Sequence, residues 1–488
     1  MLRDRIRRTL LHISHGRNAQ RSHWLTVTAL AAIVVALLVL AGTIRSIEPS
    51  ASAAVASQLK RYPYLTDVIG TKATINWGTD RSAISGSVTY GKVGSSCATN
   101  TVAATRAGIT VNGVAQYQWK ATIGLATNTQ YCYRVYLKTT DLLGTDASPT
   151  FWSKIPKGST TPFTFAVLGD IGRTTSAGLN VEQAAVMSRL ASSGARFALG
   201  TGDTAYDLGS QANYGDLVQT GRAISTMFGP EYWTKPGRYI PFFNAVGNHG
   251  YNSTFLNVWP QAQAVSSSSG KYQMETYCCK NGTVSKSYPS AWYAFDVGVA
   301  RFYVLDAAWP NSNFGTGTPY QNDYAYHWTP TSEEYQWLED DLASHSSRLK
   351  FAVWHYPLFS DASKIPSDTW LQGPDSLQGL LNQHDVDMVF NGHAHVYERN
   401  QPDSNGMVSY VTGGGGAELS PIASCSSFDA YAVGWSVIKN AGSACNAPVP
   451  TSPSQVFHFL LVRVNGSQVT VTPTDSTGRT FDVQSYSF

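Results

Sequence analysis

At 488 residues, with 43% apolar and 14% charged side chains, the chain is neither disordered nor fibrous and is too long for one ordinary core. Its formal charge of +3 resides in the first 45 residues, which hold seven arginines and one aspartate; the rest carries 28 basic against 31 acidic side chains. A near-neutral body excludes the basic footprint of a nucleic-acid binder, so no nucleic-acid partner is expected.

Residues 1–57 read as a targeting segment. Arg3, Arg5, Arg7, Arg8, Arg17 and Arg21 precede an uncharged apolar run, Leu25 to Ile44, long enough to cross a bilayer as a helix. The positive-inside rule keeps the basic end cytoplasmic and places everything after Ile44 outside, so this segment meets the membrane. Ala51-Ser52-Ala53 and Ala54-Val55-Ala56 resemble signal-peptidase sites, although both lie well beyond the apolar run. The expectation is an extracytoplasmic protein tethered by a signal anchor, or secreted if cleaved near Ala53 or Ala56. Arg7-Arg8 resembles a twin-arginine signal but stands far from the apolar run.

Residues 58–155 alternate in short apolar and polar steps, as in Ala73-Thr74-Ile75-Asn76-Trp77 and Ser87-Val88-Thr89-Tyr90, between Gly, Asp and Ser turns. Leu125 to Val135, with Tyr131-Cys132-Tyr133, resembles the tyrosine-corner strand of fibronectin type III sandwiches. That resemblance implies an all-β sandwich in which Trp77 is core. Residues 156–162 form a linker.

From residue 163 to 488 apolar runs end in polar motifs and alternate with helical stretches, the grammar of a layered α/β domain. Phe163 to Leu168 leads into Gly169-Asp170, and Val181 to Leu190 is helical in period. Arg196 to Leu199 leads into Gly202-Asp203-Thr204-Ala205-Tyr206, and Ile240 to Val246 into Gly247-Asn248-His249. Thr331 to Ala343 predicts an amphipathic helix, with Thr331 and Glu334 at capping-box spacing and Trp337, Leu338 and Leu342 on its inner face. Leu349 to Trp354 leads into His355, and Val386 to Phe390 into Gly392-His393-Ala394-His395. Gly413 to Gly416 reads as a flexible turn, and Asn465-Gly466 as the turn of a C-terminal hairpin.

The six cysteines allow fifteen pairings; proximity favours Cys97 with Cys132 and Cys425 with Cys445, and leaves Cys278-Cys279 as a vicinal bridge or two thiols.

Each strand-end motif is weak alone, since a Gly-Asp is more often a turn and a lone His more often structural. Five in order, each after an apolar strand, point to metal chemistry, because strand carboxyl ends are where open α/β sheets place their sites. The set resembles the metallophosphoesterase superfamily, and its purple acid phosphatase branch in particular. Tyr293 to Gly298, Phe302 to Asp306 and Tyr397-Glu398-Arg399 resemble it as well.

That resemblance implies a layered α/β/β/α sandwich after the N-terminal β-domain. Many members carry Asp-x-His in the first motif; here that position is Gly172, and the purple branch compensates with a tyrosinate, for which Tyr206 stands ready. Carried over by position, Asp170, Tyr206 and His395 would bind a first metal, Fe(III). Asn248, His355 and His393 would bind a second, Zn, Mn or Fe(II), and Asp203 would bridge both. The resemblance implies hydrolysis of small phosphate monoesters by in-line attack of metal-activated hydroxide. The catalytic candidates are His249, which would orient phosphate or protonate the leaving group, and the bridging Asp203. A phosphodiesterase is the alternative, and a non-catalytic binding protein with a relic site the second.

The chain departs from the pattern in two places. Gly250 stands where a carboxylate commonly follows the Asn-His pair, and no His follows in Pro357 to Lys364 or just beyond. His327 is a candidate substitute for the latter; His345, His384 and His458 read as structural or surface residues.

Overall fold

The computed structural model describes residues 58–172, 180–217, 227–250, 257–260, 291–308 and 327–488, and the backbone of 274–278 and 284–289. All of these lie in one compact unit, Val55–Phe488. The targeting segment and the second cysteine of the Cys278-Cys279 pair lie outside the described residues. Among the described residues no helix is long and apolar enough to cross a membrane.

The N-terminal region is a sandwich of two antiparallel sheets. One joins β1 (Leu59–Ile69), β2 (Lys72–Thr79), β6 (Val114–Gly124) and β5 (Thr105–Val111), in that order. The other joins β4 (Asn100–Ala103), β3 (Gly86–Lys92) and β7 (Gln130–Leu137), with β8 (Thr140–Asp141) and β9 (Thr150–Trp152) also on β7. Trp77 and Trp119 stack 6.0 Å apart with no exposed surface, so Trp77 is core, as expected. The Tyr131 hydroxyl accepts the Ala126 amide at 2.8 Å, which is the corner expected of this strand. Cys97 and Cys132 are bonded, as are Cys425 and Cys445.

Two further sheets pack face to face. The first runs β12 (Phe242–Asn244), β11 (Ala198–Gly200), β10 (Phe163–Leu168), β25 (His458–Asn465), β26 (Gln468–Asp475) and β27 (Gln484–Ser487). The second has eight strands: β15 (Tyr293–Val297), β16 (Ala300–Val304), β17 (Leu349–Val353), β20 (Met388–Asn391), β22 (Val408–Thr412), β21 (Tyr397–Asn400), β23 (Asp429–Ser436) and β24 (Ala441–Cys445). Two-stranded ribbons, β13 (Met274–Cys278) with β14 (Val284–Pro289) and β18 (Asp361–Ala362) with β19 (Ile365–Pro366), lie apart from them.

Strand alternation assigns each residue to a layer. On β10, Phe165 and Val167 face the inter-sheet core, where Phe165 stacks on Phe197 at 5.3 Å and meets Phe302 edge-on at 5.1 Å. Ala166 and Leu168 face outward, covered by α1 (Val181–Ala191) through Val186, Met187 and Leu190. The outer face of the second sheet is covered by α3 (Glu333–Ser344) and α4 (Leu377–Gln383). A short α2 (Gln211–Tyr214) follows β11. The result is the α/β/β/α sandwich that the resemblance implied.

Two sequence expectations are corrected. The N-cap of α3 is Ser332, whose hydroxyl accepts the Tyr335 amide, and not Thr331. Glu334 does not reach back to a cap; its carboxylate turns inward to accept the Asp306 amide at 2.8 Å and His327 Nε2 at 2.6 Å. Nor is Gly413 to Gly416 a flexible turn: all four are buried. A Cβ on Gly413 would lie 2.2 Å from the Ala394 carbonyl, and one on Gly415 would lie 2.3 Å from that of Gly169. These glycines are needed for close approach, not for freedom.

Candidate metal centre

β10, β11 and β12 run parallel in one sheet, and β16, β17, β20 and β22 in the other. Their carboxyl ends meet along one edge, and all five strand-end motifs project there. Asp170, Asp203 and His393 sit at φ of 57°, 48° and 66°, so the chain reverses immediately after each strand and turns these side chains into the cleft. The left-handed His393 also breaks the extended path on which His393 and His395 would point the same way, and their imidazoles enter different groups.

One group holds Asp170, Tyr206 and His395. The Tyr206 hydroxyl is 2.9 Å from Asp170 Oδ1 and 3.2 Å from His395 Nε2, and that nitrogen is 3.2 Å from Asp170 Oδ1. The other holds Asn248, His355, His393 and Asp203. His355 Nε2 is 2.8 Å from Asn248 Oδ1 and 3.3 Å from Asp203 Oδ2, and donor atoms of Asp203, His355 and His393 lie within 4.8 Å of one another. Every sequence-predicted metal residue is therefore in one of the two groups. His249 lies beside Asp203: its amide donates to Asp203 Oδ1 at 2.8 Å, and its Nε2 is 3.9 Å from Asp203 Oδ2.

Backbone carbonyls fix the imidazoles. His355 Nδ1 donates to Thr201 O at 2.8 Å, His395 Nδ1 to Glu418 O at 2.6 Å, and His249 Nδ1 to Asp207 O at 2.7 Å. With Nδ1 held in this way, Nε2 of each ring is turned toward the cleft. Sequence reasoning missed these three carbonyls, together with Tyr356, whose ring stacks on His393 at 4.0 Å. Asp207 and Tyr356 adjoin predicted residues in sequence; Thr201 and Glu418 gave no signal. The Asp207 carbonyl orients the His249 ring, which has only Gly250 after it. His327, the candidate for the absent histidine, is buried with its Nε2 2.6 Å from Glu334 Oε2.

Buried charges set the electrostatics. Burial would raise the Asp203 carboxyl, but His355 and His249 outweigh it and hold it well below the carboxylate range. Burial opposes protonation of His355, yet Asp203 pushes it up to about 9. Burial, and then repulsion from His355, drives His393 well below the ordinary imidazole range. Burial, reinforced by Asp170 and Asp203, pushes the Tyr206 phenol far above its usual value. Positive charge is thus required between acceptors that converge.

Residues 163–397 match the family model for calcineurin-like phosphoesterases. They form a calcineurin-like phosphoesterase domain. Over 145 residues the chain is 31% identical to an acid phosphatase of Aspergillus ficuum, spanning 24% of this chain and 23% of that one. Over 308 residues it is 26% identical to purple acid phosphatase 22 of Arabidopsis thaliana, spanning 60% and 57%. Both matches cover less than two thirds of the relative. The fold is similar to that of the purple acid phosphatase PPD1 from yellow lupin, Lupinus luteus, with a TM-score of 0.59 at 16% identity over 88% of this chain and 74% of that one.

The phosphoesterase domain belongs to a family that implies a dinuclear metal centre, and the donor set fits one. His355 has both ring nitrogens against acceptors, Thr201 O and Asn248 Oδ1, while Nε2 of His395 faces Asp170 and Tyr206. Oxygen and imidazole donors in two adjacent groups, with Asp203 among the second, suit two cations.

Proposed function

We propose that the protein is an extracytoplasmic phosphatase that hydrolyses small phosphate monoesters at this centre. The observation that carries the reading is the division of the strand-end side chains into an Asp170–Tyr206–His395 group and an Asn248–His355–His393 group beside Asp203. In this reading the first group holds Fe(III), the second holds Zn, Mn or Fe(II), and Asp203 is shared. The phenol of Tyr206, made hard to ionise by its burial and then by Asp170 and Asp203, yields its proton only to a strongly Lewis-acidic ion, which favours Fe(III).

When bound, the metal pair supplies an activated water and neutralises charge on the phosphoryl oxygens. The chain does the rest. Asp170 and Asp203 keep the cleft anionic enough to hold two cations, and Thr201 and Glu418 orient the imidazoles through their carbonyls. His249, aimed by Asp207, stands where it can deliver a proton from Nε2 to a departing alkoxide. The uncharged run Leu25 to Ile44 supports export.

Metal analysis and a visible spectrum of the purified protein test the reading. A tyrosinate-to-iron band lost in Tyr206→Phe is expected, and iron-free active protein would overturn the first-site assignment. An aryl phosphate should be hydrolysed faster than the bis-aryl diester. The reverse order would make the protein a phosphodiesterase of the same superfamily. Absence of bound metal, with behaviour unchanged in Asp203→Asn, would make it a binding protein with a relic site.

A further inference from the structure

We infer that the N-terminal sandwich is a positioning element of the metal centre, acting through Arg61 on the loop that carries Tyr206; the inference rests on the phosphatase reading for what is being positioned. Arg61 lies on β1 with no exposed surface. Its donors are spent across the boundary between sandwich and phosphoesterase domain. Nε donates to Gly215 O at 3.0 Å, and one terminal nitrogen to Gln211 Oε1 at 2.8 Å and Gln211 O at 3.4 Å. The other returns to Gln118 Oε1 on β6 at 3.2 Å. A planar guanidinium fork is suited to spanning several fixed acceptors at once, which a flexible ammonium is not.

The sandwich is shaped to place this fork. Gly78 pairs opposite Arg61, and a Cβ there would lie 3.1 Å from the Arg61 stem, so a glycine leaves the arginine its path. Two more contacts from the same sheet seize the same segment. Gln116 donates to the Asp216 carboxylate, and Lys60 O accepts the Leu217 amide at 2.8 Å.

The gripped segment is α2 and its exit, one turn of helix that propensity alone does not hold. From α2 the order passes back toward the metal centre by short steps. Ser210 and Asn213 form a reciprocal cap, and Asn213 Oδ1 also accepts the Leu208 amide at 3.2 Å. Gly209 N donates to Ala205 O at 2.8 Å, closing the loop around Tyr206. A Cβ on Gly209 would lie 2.8 Å from Gly250 Cα, so this loop is also pressed against the one that carries His249. On the other side the Tyr214 hydroxyl meets Thr204 Oγ1 at 3.1 Å, next to Asp203. Arg61 thus braces Tyr206, Asp203 and His249 through one helical turn. It touches none of them and is a positioning residue.

The test compares the full-length protein with Arg61→Lys, which keeps the charge and loses the fork, and Gln211→Ala, which removes one acceptor at a partly exposed position. Hydrogen–deuterium exchange of the metal-free proteins is read first. Both variants should speed exchange of amides 204–216 by tenfold or more, while β2 and β7 keep wild-type rates. Titration with Fe(III) should then show about tenfold weaker binding with an altered visible band, a figure that corresponds to one decade in affinity. Unchanged exchange at 204–216, exchange accelerated equally throughout the sandwich, or unchanged iron affinity would overturn the inference. If exchange at 204–216 rises but the wild-type protein takes up no iron, the brace stands and the phosphatase reading falls.

Discussion

His355 donates from Nδ1 to the carbonyl of Thr201 at 2.8 Å, and this single bond turns its Nε2 toward Asn248 and Asp203. Thr201 follows β11 and His355 follows β17, so the bond ties the two facing sheets at the point where the metal residues gather. His395 makes the same kind of Nδ1-to-carbonyl bond to Glu418, between two connections of the second sheet.

Losing either member of the His393-Ala394-His395 pair should therefore empty a different half of the centre. His395→Ala should abolish first-site iron and its visible band while leaving one equivalent of the second metal. His393→Ala should keep the iron and release the second ion. Metal stoichiometry of the two purified variants checks this; both losing both ions equally would contradict the division.

The gathering of these motifs was legible in the sequence because each one follows a strand, and parallel strand order places strand ends together, whereas the division into two groups came from the resemblance. What holds those residues was not legible. Glu418 reaches His395 from the β22–β23 connection, and Arg61 reaches α2 from 150 positions away. Local pattern carries no trace of such partners. Glu334 misled for a related reason: it has capping-box spacing, but the buried Asp306 amide and His327 claim its carboxylate. The run Gly413 to Gly416 misled because a glycine needed for freedom and one needed for close approach are written alike.

His249 is aimed by the Asp207 carbonyl, with Nε2 toward Asp203. As a proton donor it matters most when the leaving group is a poor one. His249→Gln should lower kcat about 100-fold for an alkyl phosphate, the lower end for general-acid loss, and far less for a nitrophenyl ester. Equal losses on both substrates in a steady-state comparison would assign His249 to phosphate orientation instead.

Gly415 shows how tightly the centre is framed. Its amide donates to Gly169 O at 3.0 Å, and the next turn brings the Ala417 amide to Asp170 O at 2.7 Å. A methyl 2.3 Å from the Gly169 carbonyl must displace the strand that carries Asp170. Gly415→Ala should cost about 3 kcal/mol, at the upper end for overpacking, and reduce metal uptake with it. Gly466→Ala, at φ 65° with open space around it, should cost only about 1–2 kcal/mol. Urea denaturation of the two variants measures the contrast.

His458, which is not one of the metal residues, supplies a separate pH dependence. It is buried on β25, with Nδ1 donating to Val456 O at 2.7 Å and Nε2 3.0 Å from Thr412 Oγ1. That arrangement satisfies the neutral ring. Burial lowers its pKa to about 4, against hydrogen bonding to Val456 and the nearby Asp475, which raise it. The unfolded chain, with an ordinary imidazole near 6.5, takes up the proton first as pH falls. The contribution of His458 to stability is therefore intact above pH 6.5, declines between 6.5 and about 4, and is constant below. A displacement of this size corresponds to about 3 kcal/mol over that window. His458→Gln should be less stable than the parent at pH 7.5, and the gap should narrow by about that amount by pH 4.5. Urea midpoints at pH 7.5, 5.5 and 4.5 decide it: a gap that stays constant would mean that His458 is protonated in the folded protein or exchanges with solvent.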